Sequence, residues 1–211
     1  MAVNNDSREL LVEDWGSVSN FQNSSRLIEY ITSESGDVYI EGIFMQAEKI
    51  NGNRRLYPKH ILAKAVDKYI REQINTKQSI GELNHPPRAK PDPLHAAILI
   101  EKLWWEGNNV MGRAKVITGD GAEGDKTAAL LRAGWIPGVS SRGLGSVKQV
   151  NGVNVVQEGY ELTVAVDVVW GPSAPDAYVK PVFEQKQEEV KHNLDSQFLA
   201  LSESLQKTFT K

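Results

Sequence analysis

Two short segments of the 211-residue chain carry side chains that together suit hydrolytic chemistry. The first, GELNHPPRA, contains His85, and the second, AGWIPGVSSRGLGS, contains Ser140 and Ser141. A serine hydroxyl is a weak nucleophile until a neighbouring imidazole accepts its proton, and the attacked carbonyl needs N–H donors for its developing oxyanion. Glycines on both sides of the serines allow a substrate backbone to come close. The two segments indicate a serine protease or esterase if the fold brings them together.

The serine segment leaves the nucleophile undecided. It is not the G-x-S-x-G elbow of α/β-hydrolases, because Arg142 stands where the second glycine would be. Adjacent strand residues face opposite sides, so spacing does not choose between Ser140 and Ser141. Ser141, Arg142 and Gly143 are candidates for oxyanion or substrate binding. For Arg142 the alternative is pairing with a surface carboxylate, which is the more frequent role of an arginine.

Asp167 is the carboxylate with the strongest reason to have a partner. It lies in ELTVAVDVVW, a long strand pattern in which an unpaired charge is costly. A histidine that the carboxylate orients and an arginine in a structural ion pair are equally good partners. Glu82 is the alternative orienter of His85. His85 itself precedes two prolines, which hold its backbone extended, although prolines also form ordinary rigid loops.

The elements that must position these residues are mostly strands. Alternating β-branched and aromatic residues predict strands over 37–50, 96–105, 110–118 and 160–170, with a hairpin around Asn151-Gly152. Helical periodicity predicts helices over 58–75 and 125–132. We therefore expect an α+β fold with an antiparallel, partly barrel-like β-sheet core flanked by helices.

Composition favours one ordinary soluble domain with terminal extensions. We expect an N-terminal arm at 1–35, a main domain at 36–183, and a charged linker with an amphipathic tail at 184–211. A net charge of −3 gives no electrostatic case for nucleic acid or an anionic membrane as partner. The absence of cysteine excludes disulfides and thiol chemistry. No signal-peptide pattern or membrane-spanning run is visible, so a cytoplasmic location is expected.

Several long segments, in order between about residues 36 and 180, resemble the prohead core protein proteases of T-even-type bacteriophages. They are EGIFMQAEKINGNRRLYP, GELNHPPRAKPDP, LWWEGNNVMGRAKV, LRAGWIPGVSSRGLGS and VAVDVVWGPSAPDA. The resemblance implies a serine endopeptidase that needs no metal or cofactor, with a fold distantly similar to herpesvirus assemblin. It implies that His85 is the general base and Ser140 the nucleophile. Asp167 is the third member that the strand argument and its position favour.

The resemblance also implies a task and a place. Members of the family act in the prohead interior, in the host cytoplasm, where they cleave scaffold proteins, capsid proteins and themselves. They prefer a bond after glutamate with leucine or isoleucine two residues earlier. Two such sites lie near the termini, where cleavage concentrates, so Glu13 and Glu203 are autocleavage candidates. Self-association is a further expectation.

A non-catalytic scaffold-binding assembly protein of the prohead core is the alternative function. Its motivation is the tail, where one apolar helix face is predicted that would need a partner, formed by Leu194, Phe198, Leu201 and Leu205. Packing of the tail on its own domain explains the same pattern. Deleting 184–211 separates docking from peptide cleavage.

Overall fold

The structure, a computed structural model, describes residues 8–12, 37–170 and 179–184. It is a mixed α+β fold in which strands predominate. The strands are β1 (Glu9–Val12), β2 (Asp37–Gln46), β3 (Arg55–Leu56), β4 (Ile80–Glu82), β5 (Ala96–Glu106), β6 (Asn109–Val116), β7 (Gly138–Gly145), β8 (Val147–Val150), β9 (Val153–Val156), β10 (Glu161–Val169) and β11 (Val179–Glu184). The helices are α1 (Lys59–Tyr69), which continues as a π-helical turn (Ile70–Ile74), and α2 (Glu123–Arg132), with a 3₁₀ turn at Pro93–His95.

The strands form three sheets. Their orders are β1-β7-β10, β11-β2-β6-β5-β4 and β3-β9-β8, and neighbours are antiparallel except for β3 with β9. An isolated parallel bridge between Leu83, directly after β4, and Val168 of β10 joins the first two sheets. The α+β class and the antiparallel pairing are thus confirmed. The strands of the described ranges do not form a closed barrel, so the structure supports the sheet core of the prediction without its barrel-like character.

Both predicted helices are present, and each packs a buried face against the sheets. The buried face of α1 consists of Ile61, Leu62, Ala65, Val66 and Tyr69. This helix packs on β10, while α2 packs on β5 and β6. At the start of α2 a Cβ on Gly124 would lie 1.7 Å from the carbonyl oxygen of Ile117, so only glycine permits this approach. No helix of the described part is long and apolar enough to span a membrane.

The two strands that carry the candidate chemistry lie side by side in the first sheet. β7 is central, and β10 is buried on both faces from Val164 to Val169 because α1 and the other sheets cover it. On its other side β7 pairs with β1, a strand within the segment predicted as an arm. The tail face, Glu13 and Glu203 lie outside the described residues.

Candidate active site

Strand pairing brings Ser140 next to Asp167. The two residues are direct cross-strand partners in β7 and β10, so their side chains share one face of the sheet. The ladder is irregular here, because three steps along β10 from Val164 to Asp167 match two along β7 from Arg142 to Ser140. Such a bulge re-aims side chains next to functional sites. Ser140 is 2% exposed and Asp167 0%.

His85 reaches the same place from the end of β4. The N–H of Asn84 donates to the carbonyl oxygen of Val168 at 2.7 Å, which fixes the loop against β10. Asn84 has a φ of 76°, a left-handed conformation that asparagine tolerates better than most residues. The chain turns sharply there, and Pro86 and Pro87 follow. His85 Nδ1 then lies 2.8 Å from Asp167 Oδ2.

The hydrogen bond to Asp167 defines the tautomer of His85. An ionised carboxylate only accepts, so Nδ1 carries the proton and donates it, which leaves a lone pair on Nε2. Nε2 is buried and has no hydrogen-bond partner among the described residues. The side chain of His85 is 8% exposed. The structure therefore presents an oriented base that is largely shielded from water.

Arg142 contacts the same aspartate from inside the protein. Its Nη2 donates to Asp167 Oδ1 at 3.0 Å, and its Nε lies 2.6 Å from Oδ2 at an angle outside hydrogen-bond geometry. Its Nη1 donates to the carbonyl oxygen of Arg88 at 2.8 Å. Arg142 is 0% exposed, so its guanidinium serves a buried carboxylate instead of a surface one. Asp167 thus has both of the partners that the sequence left open.

Glu82 is the second buried carboxylate, 1% exposed. Its main-chain N–H donates to Asp167 Oδ1 at 2.9 Å, while its own carboxylate accepts from Arg88 Nη2 at 2.6 Å and from the N–H of Asp92. Arg142 Nη2 lies 3.5 Å from Glu82 Oε2. The two buried carboxylates thus face two guanidinium groups, that of Arg142, which is buried, and that of Arg88, whose side chain is 38% exposed.

These hydrogen bonds hold the proline-rich loop against β7, which carries Arg142, and β4, which carries Glu82. Arg142 and Glu82 hold the loop at the main-chain groups of Arg88 and Asp92. Sequence reasoning considered Glu82 only as an orienter of His85, and it missed Asn84 and Arg88. The Asn before His85 was the available signal for the left-handed turn. Nothing in the linear sequence pointed to Arg88 as the partner of Glu82.

The remaining predicted residues lie along β7. Ser141 is 8% exposed, and Gly143 pairs with Leu11 of β1 on one side and Leu162 of β10 on the other. A Cβ on Gly143 would lie 2.5 Å from the ring of Tyr160, so the tyrosine packs directly on the main chain. Asp167 pairs with Ser140 across the ladder and is hydrogen-bonded to His85, but His85 Nε2 makes no hydrogen bond to Ser140. Gly143 lies within the sheet beyond Arg142.

Residues 10–188 match the model of a protein family described as prohead core protein serine protease. The chain belongs to this family. The prohead core protein protease of Enterobacteria phage T4 is 54% identical over 209 residues, covering 94% of this chain and 97% of that protein. The solved structure of the bacteriophage T4 capsid assembly protease matches with a TM-score of 0.69 and 54% identity, covering 78% of this chain and 99% of that chain.

Membership in the prohead core protein serine proteases confirms the resemblance and the enzyme class. The chain is a serine protease, and the likeness to the T4 structure agrees with the α+β fold. Serine protease chemistry requires a hydroxyl nucleophile, and Ser140 is the residue of β7 that pairs with Asp167, which is hydrogen-bonded to His85.

Proposed function

We propose that this protein is the endopeptidase of a phage prohead core, which cleaves scaffold and capsid proteins from the prohead interior during head maturation. The hydrogen bond from His85 Nδ1 to Asp167 Oδ2, on the sheet face shared with Ser140, carries the proposal. The description of the family and the names of the T4 relatives support the prohead as the place of action.

The mechanism assigns one role to each residue. Ser140 Oγ attacks the scissile carbonyl while His85 Nε2 accepts its proton, and the imidazolium then gives that proton to the leaving amine. Asp167 keeps the histidine in the tautomer with a proton on Nδ1 and stabilises the imidazolium. The main-chain N–H after the nucleophile, on Ser141, is the oxyanion donor, as in other serine hydrolases.

Arg142 acts on Asp167 and not on the oxyanion. Its guanidinium is 0% exposed and lies against the aspartate and the carbonyl oxygen of Arg88, so it holds the acid of the triad in place. Gly143 has only a packing role in this scheme, because the ring of Tyr160 lies directly on it. No metal or cofactor takes part in this scheme.

The proposed specificity is cleavage after glutamate with leucine or isoleucine two residues earlier. Bonds after Glu13 and Glu203 satisfy that rule, and their cleavage would make the enzyme its own substrate. The scaffold-docking role of the tail is compatible with the protease and is tested by deleting 184–211.

The assignment of the nucleophile is tested by two adjacent substitutions. A peptide with Leu-Ser-Glu on its non-prime side is incubated with the parent, Ser140→Ala and Ser141→Ala proteins, and products are quantified by mass spectrometry. Ser140→Ala is expected to lose more than about 10³-fold in kcat, since loss of a triad nucleophile is among the most severe catalytic defects. Ser141→Ala controls for a lost hydroxyl on the same strand. Undiminished cleavage by Ser140→Ala would falsify the assignment.

A further inference from the structure

The side chains of Tyr69 and Ser79 form a hydroxyl pair inside the protein. Tyr69 Oη and Ser79 Oγ lie 2.8 Å apart, and the two residues are 3% and 0% exposed. Tyr69 ends α1, and Ser79 lies directly before β4, where its carbonyl oxygen accepts from the N–H of Ile100 in β5 at 2.8 Å. One hydroxyl of such a pair donates to the other, so the pair can still accept a hydrogen bond from a further donor.

The further donor comes from the bulge of β10. Burial raises the pKa of the Tyr69 hydroxyl, and hydrogen bonds with Ser79 and with the main chain of Ala165 lower it in part. A contact that favours the phenolate is one that the phenolate accepts, so the N–H of Ala165 donates to Tyr69 Oη. Ala165 lies between Val164 and Asp167, where the register shifts. A bulge leaves its extra residue without a regular ladder partner, and the tyrosine hydroxyl bonds the main chain at that point.

The strand β4 holds the next residues of β10. A Cβ on Gly81 would lie 2.1 Å from the carbonyl oxygen of Val166, so only glycine permits this approach of β4 to the bulge. The main-chain N–H of Glu82 donates to Asp167 Oδ1 at 2.9 Å. Each residue from Ala165 to Asp167 therefore has a contact outside the ladder with β7.

The bulge determines where the carboxylate of Asp167 points. Successive strand residues face opposite sides of a sheet, so a shift of one residue in β10 would turn this carboxylate away from His85. Of the three contacts that hold the bulge, those of Gly81 and Glu82 are made by the main chain, and that of Tyr69 is made by a side chain. The contact of Tyr69 is therefore the one that a substitution can remove by itself.

We infer that the hydroxyl of Tyr69 is a positioning group for the proposed triad, which holds the bulge of β10 in the conformation that aims Asp167 at His85. It acts through Asp167 and takes no part in the chemistry itself. Ser79 fixes the hydroxyl in place, since its own main chain is bonded to β5. The inference rests on the proposed endopeptidase function, and it adds a residue of α1 on which that function depends.

Tyr69→Phe tests the inference in the full-length protein, because it removes the hydroxyl and keeps the buried ring. The kcat for the Leu-Ser-Glu peptide is expected to fall about 10- to 100-fold, since a misplacement of about 1 Å can cost about 100-fold. KM should stay within about 2-fold of the parent value, because the contacts that bind the substrate are kept.

Thr127→Val is the matched control for the loss of a buried hydroxyl. Thr127 is 0% exposed and donates to the carbonyl oxygen of Glu123 within α2, which packs on β5 and β6. Its kcat should equal that of the parent. If Tyr69→Phe lowers Tm but keeps the parent kcat at a temperature where it is folded, the hydroxyl pair only stabilises the core and the inference fails.

Proton NMR separates this inference from the assignment of the nucleophile. The Nδ1 proton of His85, in its bond to Asp167, is observed in ¹⁵N-labelled protein with a Ser140→Ala background and is assigned by its loss in His85→Gln. Adding Tyr69→Phe is expected to broaden this resonance and move it upfield, whereas adding Thr127→Val should leave it unchanged. An unchanged resonance in Tyr69→Phe refutes the positioning role even if Ser140 proves to be the nucleophile. A shifted resonance supports it even if another residue attacks.

Discussion

Replacing Arg142 with methionine distinguishes two roles of its guanidinium: holding Asp167 in place, here called the clamp, or donating a hydrogen bond to the oxyanion. The guanidinium is 0% exposed and donates to Asp167 at 3.0 Å and to the carbonyl oxygen of Arg88 at 2.8 Å. Arg142→Met leaves Asp167 with two donors, His85 and the N–H of Glu82. Removing one partner of a buried ion pair costs about 3–5 kcal/mol, because the other charge stays buried.

That loss corresponds to a fall in Tm of roughly 6–20 °C for a chain of this size. Circular dichroism melts measure it directly, with peptide cleavage assayed at a temperature where the variant is folded. Arg8→Met is the matched control, since the two side chains of its ion pair with Glu161 are 39% and 38% exposed. Exposed pairs contribute about 0–1 kcal/mol, so its Tm should fall far less.

The clamp predicts that stability and cleavage fall together in Arg142→Met. An oxyanion donor would instead lower kcat by about 10²–10³-fold and leave the fold intact. The result that would refute the clamp is a variant that cleaves about 100-fold more slowly but melts within about 2 °C of the parent, which is the usual error of such melts. That result would restore the oxyanion role.

Two further predictions concern packing and pH. Gly143→Ala places a Cβ 2.5 Å from the ring of Tyr160, so urea unfolding should show a loss of about 1–3 kcal/mol; a loss of the same size in a Tyr160→Leu background would contradict this cause. His95 Nδ1 lies 2.6 Å from Glu123 Oε1, and this contact raises the pKa of His95 and lowers the pKa of Glu123. Because the pKa of His95 is raised on folding, its contact stabilises the fold fully below the ordinary value of 6.5, and this stabilisation is lost as the pH rises through the folded pKa. Because the pKa of Glu123 is lowered on folding, its contribution is present above the ordinary value of 4.5. His95→Gln should therefore lower Tm at about pH 5.5 and have little effect at about pH 9, in the window that these two pKa shifts define; an equal difference in Tm at both pH values would rule out this ion pair as the cause.

The sequence predicted local elements well because their signals are local. The helical pattern predicted over 58–75 became α1 and its π-helical continuation, and Asn151-Gly152 became a turn in which both residues have positive φ. The same logic identified Asp167 as a buried charge in need of a partner. These inferences required only periodicity, turn chemistry and the cost of an unpaired charge.

What the sequence did not contain was the pairing between distant segments. The pairing of Ser140 with Asp167 depends on the register of β7 against β10 and on a bulge that no local sequence pattern predicts. Arg142 was predicted either to bind the oxyanion or substrate or to pair with a surface carboxylate, but its neighbours in the fold include two buried carboxylates. The expectation of a partly barrel-like core went beyond what strand periodicity specifies, because periodicity within a strand does not determine which sheet edges meet, and the described strands form three sheets without a closed barrel.

The bridge between Leu83 and Val168 has a mechanical consequence for the enzyme. It lies where the first two sheets meet, within two residues of His85 and one of Asp167, so the histidine follows a strand of one sheet and the aspartate lies in a strand of the other. A rotation of one sheet against the other would therefore change the distance between His85 Nδ1 and Asp167 Oδ2. The hydrogen bond on which the proposed triad depends thus requires the two sheets to be aligned, and a force on the molecule that shifts one sheet against the other would weaken it.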